Sequence, residues 1–349
     1  MKMRILHVMS GDVLGGAEMA FTDLICALQE EGLEQRAIIR THPERAEKLL
    51  SMGVPVLQLP FRRRLDFKTP IAIAKFANEF EPKIVQCWME RAASMTPKGD
   101  YMKVGWLGGY YKPKYFKDCD HLVGVTKDVS EHLFRKGLPT VPTVTIPTFC
   151  EIDANAKALD RAQFNTPEKV PLILALGRLH SDKALDTLLR ALALVPGPYL
   201  WIAGEGPLRQ QLMQLTQNLG LAERVRFLGW RNDRDALLKT CDICAFPSRV
   251  EGFGTVMIEA WANHVPLVTA SSPGPKAHVR HRENGLIVAI DDVEALAAAL
   301  HEAMNNKTLV EHMTKTAFHD YQSQFTKNAV AKAYVKFYSG LISHVDGSS

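Results

Sequence analysis

Short apolar runs alternate with amphipathic segments along most of this chain. In the first half, the apolar run Ile5–Met9 precedes a glycine-rich loop and then a segment with apolar residues at i, i+3, i+4 and i+7. Helical patterns also lie at about 70–80 and 127–137. The later strand-like runs are Ala37–Ile39, Val54–Leu59, Ile84–Trp88, Leu122–Val125 and Val141–Ile146. This alternation is typical of a parallel sheet covered by helices.

The same alternation restarts after a proline-rich linker. Its strand-like runs are Leu172–Leu176, Leu200–Ala203, Val225–Leu228, Ile243–Phe246, Leu267–Thr269 and Leu286–Val288. The length of 349 residues fits two domains of about 150 residues each. We therefore predict two doubly wound α/β domains, 1–150 and 151–325. Ligands bind at the carboxyl ends of strands in such sheets, so two facing domains would form a binding cleft.

The composition is that of a globular protein. Hydrophobic residues make up 46% and charged residues 23% of the chain, and no apolar run approaches the ~20 residues that a membrane-spanning helix needs. The apolar run near the N-terminus is too short for a signal-peptide core. Six scattered cysteines argue against a disulfide framework. These features predict a cytoplasmic protein.

Residues 61–117 form a basic segment that also contains aromatic side chains. The segment has 12 Lys and Arg against 5 Asp and Glu, and it includes Arg62-Arg63-Arg64. Such a mixture suits an anionic membrane surface or a phosphorylated acceptor, and it would place the protein at the inner membrane face. Solvated loops have the same composition, so both interpretations stay open. No nucleic-acid-binding motif accompanies the segment, so we expect no nucleic-acid partner.

The stretch Phe246-Pro-Ser-Arg-Val-Glu-Gly-Phe-Gly-Thr-Val-Met-Ile-Glu259 indicates a ligand site. An apolar strand ends just before it and an apolar helix face follows. A helix that starts where a strand ends presents free backbone N–H groups to a bound phosphate. Glu251 in the loop and Glu259 in the helix can accept hydrogen bonds from sugar hydroxyls on either side of the phosphates. The arrangement suits a nucleotide-sugar, which has a ribose at one end, a pyrophosphate in the middle and a hexose at the other.

This string resembles the motif P-S-x-x-E-G-F-G-x-x-x-x-E-A of the family 4 retaining glycosyltransferases. The resemblance covers nearly the whole chain and implies a GT-B fold, with two Rossmann-like domains facing an interdomain cleft. It places the acceptor in 1–150 and the nucleotide-sugar donor in 151–325. A terminal helix at about 326–345 is expected to pack back onto the first domain.

Three charged side chains are the expected catalytic groups. Arg178 and Lys183 follow the first strand of the second domain, where an arginine can grip a pyrophosphate with two nitrogens and a lysine adds a point charge. The resemblance implies that both stabilise charge on the departing nucleotide, which other glycosyltransferases achieve with a metal. Ala184 replaces the glycine usual in the family. Glu251 is expected to position the transferred sugar, and we expect no metal or other cofactor.

The expected donor-binding residues lie in glycine-containing turns and in one helix. By resemblance, the turns approach the donor closely and Glu259 holds its ribose. These residues are Gly15, Gly16, Gly204, Gly252, Phe253, Gly254, Thr255 and Glu259. The string around Gly204 is also a partial dinucleotide fingerprint, but Arg209 stands where the third glycine belongs.

Acceptor contacts are expected from Glu90, Arg91 and Trp106, in a region where many relatives carry a histidine that this chain lacks. The donor stays open among UDP-, GDP- and ADP-linked sugars. Asp118-Cys-Asp120 and Asp233-Arg-Asp235 each spell the D-x-D of metal-dependent glycosyltransferases. Because chance matches are expected among 18 aspartates, we interpret both as structural.

We therefore predict a retaining, metal-independent glycosyltransferase that moves a hexose-type sugar to a glycan or lipid-linked acceptor in cell-envelope polysaccharide or lipopolysaccharide synthesis. A nucleotide-sugar epimerase of the same fold is one alternative, although no acid/base pair is identifiable for it. A non-catalytic glycan-binding relative is the other. It would be expected to lose one of the four charged donor residues, and all four are present: Arg178, Lys183, Glu251 and Glu259.

Overall fold

The structure is a computed structural model that describes residues 3–11, 15–62, 66–138 and 141–346, with side chains to 343. Part of the first glycine-rich loop, 12–14, and the basic residues Arg63 and Arg64 lie outside the described residues. The chain divides into two compact units. The first consists of Met1–Phe149 and Lys327–Ser349, and the second of Cys150–Thr326.

Parallel strands alternate with helices in both units. Within the described residues the strands are β1 (Arg4–Met9), β2 (Glu34–Arg40), β3 (Val56–Leu59), β4 (Ile84–Trp88), β5 (Met102–Leu107), β6 (His121–Gly124), β7 (Thr143–Thr145), β8 (Leu172–Leu176), β9 (Tyr199–Ala203), β10 (Val225–Gly229), β11 (Ile243–Phe246), β12 (Leu267–Ala270) and β13 (Leu286–Val288). The helices described are α1 (Gly16–Glu30), α2 (Pro43–Ser51), α3 (Lys68–Phe80), α4 (Met89–Met95), α5 (Lys127–Arg135), α6 (Leu185–Leu194), α7 (Arg209–Asn218), α8 (Arg234–Thr240), α9 (Thr255–Ala262), α10 (Pro273–His278), α11 (Val293–Asn305), α12 (Lys307–Gln324) and α13 (Lys327–Asp346).

The first unit contains a parallel sheet with the strand order β3-β2-β1-β4-β5-β6-β7. The central strands β1 and β4 are almost entirely buried, as expected when helices cover both faces of a parallel sheet. The order reverses between β1 and β4, which is where doubly wound sheets bind ligands. Helix α13 belongs to this unit and packs on α1, with Lys327 Nζ 2.9 Å from Glu30 Oε2.

The second unit contains a parallel sheet with the order β10-β9-β8-β11-β12-β13, which reverses between β8 and β11. Its core lies between the sheet and its helices, where Ile173, Leu188 and Leu300 are fully buried. The leucine spacing in α6 places one face of the helix in this core. The prediction of two doubly wound parallel α/β domains is therefore confirmed.

The strand β5 is absent from the elements predicted by sequence. Lys103 and Gly105 interrupt its apolar pattern, yet the strand pairs with both β4 and β6. Lys103 is only 3% exposed because its ammonium group donates to the carbonyl oxygen of Thr96 at 2.5 Å. A single backbone acceptor thus allows a lysine inside the sheet.

No helix in the described part of the chain is long and apolar enough to cross a membrane. All six cysteines are free thiols, as their sparse placement predicts.

Candidate functional site

The loops that follow β8 and β11 meet where the strand order of the second sheet reverses. The first loop runs through a short 3-10 turn that ends at Lys183, and the second carries Glu251. Lys183 Nζ donates a hydrogen bond to Glu251 Oε2, and the two side chains are 25% and 18% exposed. Two of the expected catalytic residues therefore form an ion pair that solvent can still reach.

A small pocket lies beside this ion pair. Lys183 Nζ stands 5.5 Å from the centre of the Phe246 ring, and Gly177 and Ser248 also line the pocket. Ser248 is 1% exposed, and its hydroxyl has no hydrogen-bond partner among the described residues. A buried hydroxyl without a partner costs free energy. A ligand oxygen that reached the pocket would therefore be favoured there.

The third expected catalytic residue, Arg178, is exposed in the loop after β8. Its guanidinium forms no hydrogen bond or ion pair with any residue that the structure describes. An anionic ligand could therefore bind Arg178 without breaking a native ion pair. This distinguishes it from Lys183, whose counter-charge is already in place.

Gly204 packs the loop after β9 against the loop that carries Arg178. Its φ is +148°, and a Cβ atom there would overlap the carbonyl oxygen of Gly177. The two loops are joined by backbone hydrogen bonds from Gly177 N to Ala203 O and from Leu179 N to Glu205 O, each of 3.0 Å. Gly204 therefore holds a neighbouring loop in place, and a direct contact with the donor stays a prediction.

We expect Gly204→Ala to lower the free energy of unfolding by about 2–3 kcal/mol, because alanine there must adopt a strained backbone and displace a carbonyl group. Gly220→Ala is the matched control. Gly220 has a φ of +67°, but no described atom lies within 4 Å of its Cβ position. Urea unfolding of both variants measures the difference, and equal losses would contradict the close-approach explanation.

Helix α9 begins directly after the Glu251 loop. Gly254 precedes it with a φ of +94°, and a Cβ atom there would lie 2.8 Å from the Phe246 ring. A glycine cap leaves the N–H group of Thr255 without a side-chain partner. The positive end of the α9 dipole therefore lies on the loop that carries Glu251.

The Phe253 side chain requires a correction, since we expected it to contact the donor. It is 5% exposed, and its ring centre lies 5.4 Å from that of His278 and 5.9 Å from that of Phe325. Burial also lowers the pKa of His278 to about 4, so the cluster is uncharged at neutral pH. Phe253 anchors the turn in the core, and a donor contact by its backbone or by Gly252 stays a prediction.

Glu259 lies inside α9 with a side chain that is 7% exposed, and its Oε1 is 2.8 Å from Arg234 Nη1. Burial raises the pKa of Glu259, and the attraction of Arg234 offsets this only in part. Sequence reasoning missed Arg234. The only signal was that Arg234 follows β10, so that it belongs to the same edge of the sheet as the other loops.

In the first unit, several expected site residues lie where the strand order reverses. Gly15 and Gly16 start α1 after β1, while Glu90 and Arg91 start α4 after β4. Arg91 Nη1 donates to the carbonyl oxygen of Phe61 at 3.2 Å. Glu90 forms no hydrogen bond or ion pair within the described part of the chain. It is therefore a carboxylate available to a ligand at the switch point of this sheet.

Trp106 is a second correction. We expected an acceptor contact from this residue, but it is 3% exposed, and its ring centre lies 4.5 Å from that of Trp88. Trp106 belongs to β5, and the strand directs this side chain into the core. Its ring is therefore not available to an acceptor.

The two D-x-D strings have partners within the protein. Asp120 accepts a hydrogen bond from Lys103 N at 2.7 Å, and Asp235 accepts one from Asn263 Nδ2 at 2.9 Å. The carboxylate of Asp233 pairs with Arg231. Among the described residues, no group of three or more His, Cys, Asp or Glu side chains is arranged to hold a metal ion.

Comparison with known proteins identifies the family. The sequence model of the glycosyl transferases group 1 matches residues 156–320. The chain is 32% identical over 344 residues to the lipopolysaccharide core biosynthesis glycosyltransferase LpsE of Rhizobium meliloti. The matched region covers 96% of this chain and 98% of LpsE.

Solved structures share the fold. A glycosyltransferase from Rickettsia africae superimposes with a TM-score of 0.87 at 20% identity, over 98% of this chain and 99% of that one. HepE of Anabaena, solved with UDP and glucose, has a TM-score of 0.81 at 19% identity, over 97% of this chain and all of that one. With two parallel-sheet units and this similarity to solved glycosyltransferases, the chain has the expected GT-B fold. Its similarity to LpsE and the match to the family's sequence model show that it belongs to the group 1 glycosyltransferases.

Proposed function

We propose that the protein transfers a hexose-type sugar from a nucleotide-sugar to a glycan or lipid-linked acceptor, with retention of the anomeric configuration and without a metal. The observation that carries this proposal is the meeting of Lys183 and Glu251 at the switch point of the second sheet. The loop after β8 also carries Arg178, whose guanidinium has no partner among the described residues. Arg178 is thus available to bind a diphosphate, and Glu251 is available to bind the sugar attached to it.

The donor diphosphate is held by Arg178, Lys183 and the N-terminus of α9. As the glycosidic bond breaks, negative charge builds up on the leaving phosphate, and these groups stabilise that charge without rearrangement. Glu251 accepts hydrogen bonds from the transferred sugar, and Glu259 holds the ribose. Gly15 and Gly16 provide the donor contacts of the first unit.

The acceptor is bound by the first unit, where Glu90 and Arg91 follow β4. The overall similarity to LpsE supports a function in lipopolysaccharide core synthesis, because it extends over almost the whole of both chains. We therefore propose a bacterial envelope glycan, carried on lipid, as the class of acceptor.

Calorimetric titration of the protein in EDTA with UDP, GDP, ADP and CMP tests the donor site. UDP is the first choice, because HepE, which shares the fold, is solved with it. We expect one nucleoside diphosphate to bind without metal. The absence of binding by all four nucleotides would refute the transferase proposal and favour a glycan-binding protein.

The products distinguish transfer from epimerisation and retention from inversion. The protein is incubated with the UDP-, GDP- and ADP-linked hexoses and a lipopolysaccharide core acceptor, and the products are followed by proton NMR. Retention predicts an anomeric proton of the donor's own configuration in the glycosylated product. Formation of an epimerised nucleotide-sugar in the absence of acceptor would show that the protein is an epimerase rather than a transferase.

Within the basic segment, membrane attachment has its strongest support around the start of α3. Phe67 and Ile71, which lie four residues apart, are 72% and 69% exposed. Three exposed cations accompany them: Arg62, Lys68 and Lys75. Apolar side chains between cations suit the interface of an anionic bilayer. We therefore propose that this protein is peripheral at the inner membrane face.

We expect the double variant Phe67→Ser/Ile71→Ser to bind phosphatidylglycerol vesicles at least about tenfold more weakly, because burying a large apolar side chain contributes ~1.5–3 kcal/mol. Phe134→Ser on α5 is the control, since Phe134 is 62% exposed. Co-sedimentation at low and high salt measures binding, and salt should weaken it. No binding of the unaltered protein at low salt, or equal binding by all variants, would refute membrane attachment through α3.

A further inference from the structure

Arg249 lies two residues before Glu251, and several partners hold its side chain. Arg249 Nε donates to Asp291 Oδ2 at 2.8 Å, Nη1 donates to the carbonyl oxygen of Ser181 at 2.7 Å, and Nη2 donates to Asp186 Oδ2 at 2.9 Å. The second oxygens of both aspartates lie within 2.9 Å of the guanidinium as well. All three guanidinium nitrogens are therefore engaged.

These contacts join the two loops that carry the candidate catalytic pair. The backbone N–H groups of Arg249 and Val250 donate to the carbonyl oxygen of Asp182 at 2.7 and 3.3 Å. Asp182 immediately precedes Lys183, whose ammonium binds Glu251. The side chain and the backbone of Arg249 thus both fix the Glu251 loop to the turn that presents Lys183.

The pKa values of both aspartates shift in the direction that these contacts predict. Hydrogen bonds from Arg249 lower the pKa of Asp291. Burial would raise the pKa of Asp186, but its hydrogen bonds to Arg249 and Arg190 outweigh burial and lower it. Lysine could not replace this arrangement, because it lacks the planar fork that reaches several acceptors in fixed directions.

We propose that Arg249 is a positioning residue, which clasps the loops after β8 and β11 so that Lys183 and Glu251 stand in register for the donor. The inference rests on the proposed function for the roles of Lys183 and Glu251. It goes beyond that function by assigning their relative placement to a side chain that is expected to touch neither donor nor acceptor.

The clasp itself can be measured without any donor. We expect Arg249→Ala to increase amide hydrogen exchange in 247–254 and in 181–184, while exchange in helix α5 of the first unit stays unchanged. Arg190→Ala is the matched control, because Arg190 donates to the same Asp186 but lies within α6. If the alanine variant folds poorly, Asp291→Asn leaves Arg249 itself unaltered and weakens only one of its contacts.

The consequence for catalysis is measured as release of the free hexose from UDP-, GDP- and ADP-linked hexoses in the absence of acceptor. We expect Arg249→Ala to lower turnover about 100-fold, since displacing reacting groups by about 1 Å has an effect of that size. Affinity for the nucleoside diphosphate should fall far less, because Arg178 and Glu259 are untouched. Arg249→Lys should recover only a small part of the turnover.

A double-mutant cycle links the effect to Glu251. If Arg249 acts by placing Glu251, then Arg249→Ala should change turnover little in a Glu251→Ala background, and the two effects should not add. Additive effects would overturn the positioning role, as would wild-type turnover in Arg249→Ala. Unchanged exchange in both loops would overturn the clasp itself. Failure of the unaltered protein to use any donor would instead refute the proposed function, and the exchange result would still decide whether Arg249 holds the loops.

Discussion

Replacing Arg178 with alanine is expected to lower turnover about 100-fold or more, the usual effect of removing one preorganised group that stabilises charge in the transition state. Arg178 lies at the switch point, and none of the described residues supplies it with a counter-charge. Its interaction with the leaving phosphate strengthens as the bond breaks, so the loss should appear in kcat more than in KM. Steady-state kinetics with the preferred donor and a core acceptor measures both constants.

The exposure of Arg178 makes this test informative. Because the side chain has no hydrogen-bond or ion-pair partner among the described residues, the variant should unfold at the same urea concentration as the unaltered protein. Arg178→Lys should restore part of the turnover, since lysine has the same charge but lacks the planar guanidinium that donates two hydrogen bonds at once. A wild-type kcat in the alanine variant would remove Arg178 from the catalytic groups.

The second large effect is expected at the ribose site. Glu259→Ala should weaken binding of the nucleoside diphosphate about tenfold or more, because a hydrogen bond to a charged group contributes ~1.5–3 kcal/mol. Calorimetry measures this loss directly. Unchanged affinity in a folded variant would place the ribose elsewhere.

The isosteric variant Glu259→Gln removes the charge but keeps the shape of the side chain. The raised pKa of Glu259 predicts how the stability difference between this variant and the unaltered protein changes with pH. The native carboxyl keeps its proton above its ordinary pKa of 4.5, mainly because of burial. Ionisation therefore destabilises the native state, and the contribution of Glu259 to the free energy of unfolding falls as the pH rises above 4.5. Glutamine has no such dependence, so the stability of the variant relative to the unaltered protein should increase with pH. The opposite slope would show that the pair with Arg234 outweighs burial.

The fold followed from the sequence because its signals are local. Each predicted apolar run overlaps a strand, since buried parallel strands need continuous apolar side chains. The strand β5 was missed because a lysine interrupts its apolar pattern, and the sequence does not reveal that the Thr96 carbonyl oxygen, seven positions earlier, accepts a hydrogen bond from it. The error at Trp106 has the same origin. Because β5 was not predicted, the sequence did not indicate that the Trp106 ring points into the core, and we expected it to contact the acceptor.

The site was less predictable, because its decisive contacts join distant residues. Glu251 and Lys183 were singled out by motif, but their pairing across 68 positions was not. Arg249 occupies a position that the motif leaves variable and Arg234 lies outside the motif, so only the structure reveals their partners. Charged side chains whose partners lie on other loops give no periodic signal, so sequence patterns cannot distinguish them from solvated ones.

Under the proposed roles of Lys183 and Glu251, their ion pair has a consequence for the order of events in a catalytic cycle. An intact donor can compensate both groups, giving phosphate oxygens to the lysine and sugar hydroxyls to the carboxylate. A spent nucleoside diphosphate satisfies only the lysine and leaves a half-buried carboxylate without its partner. Re-formation of the pair then competes with the product for Lys183. The empty site thus contains its own displacing group, which favours departure of the used nucleotide.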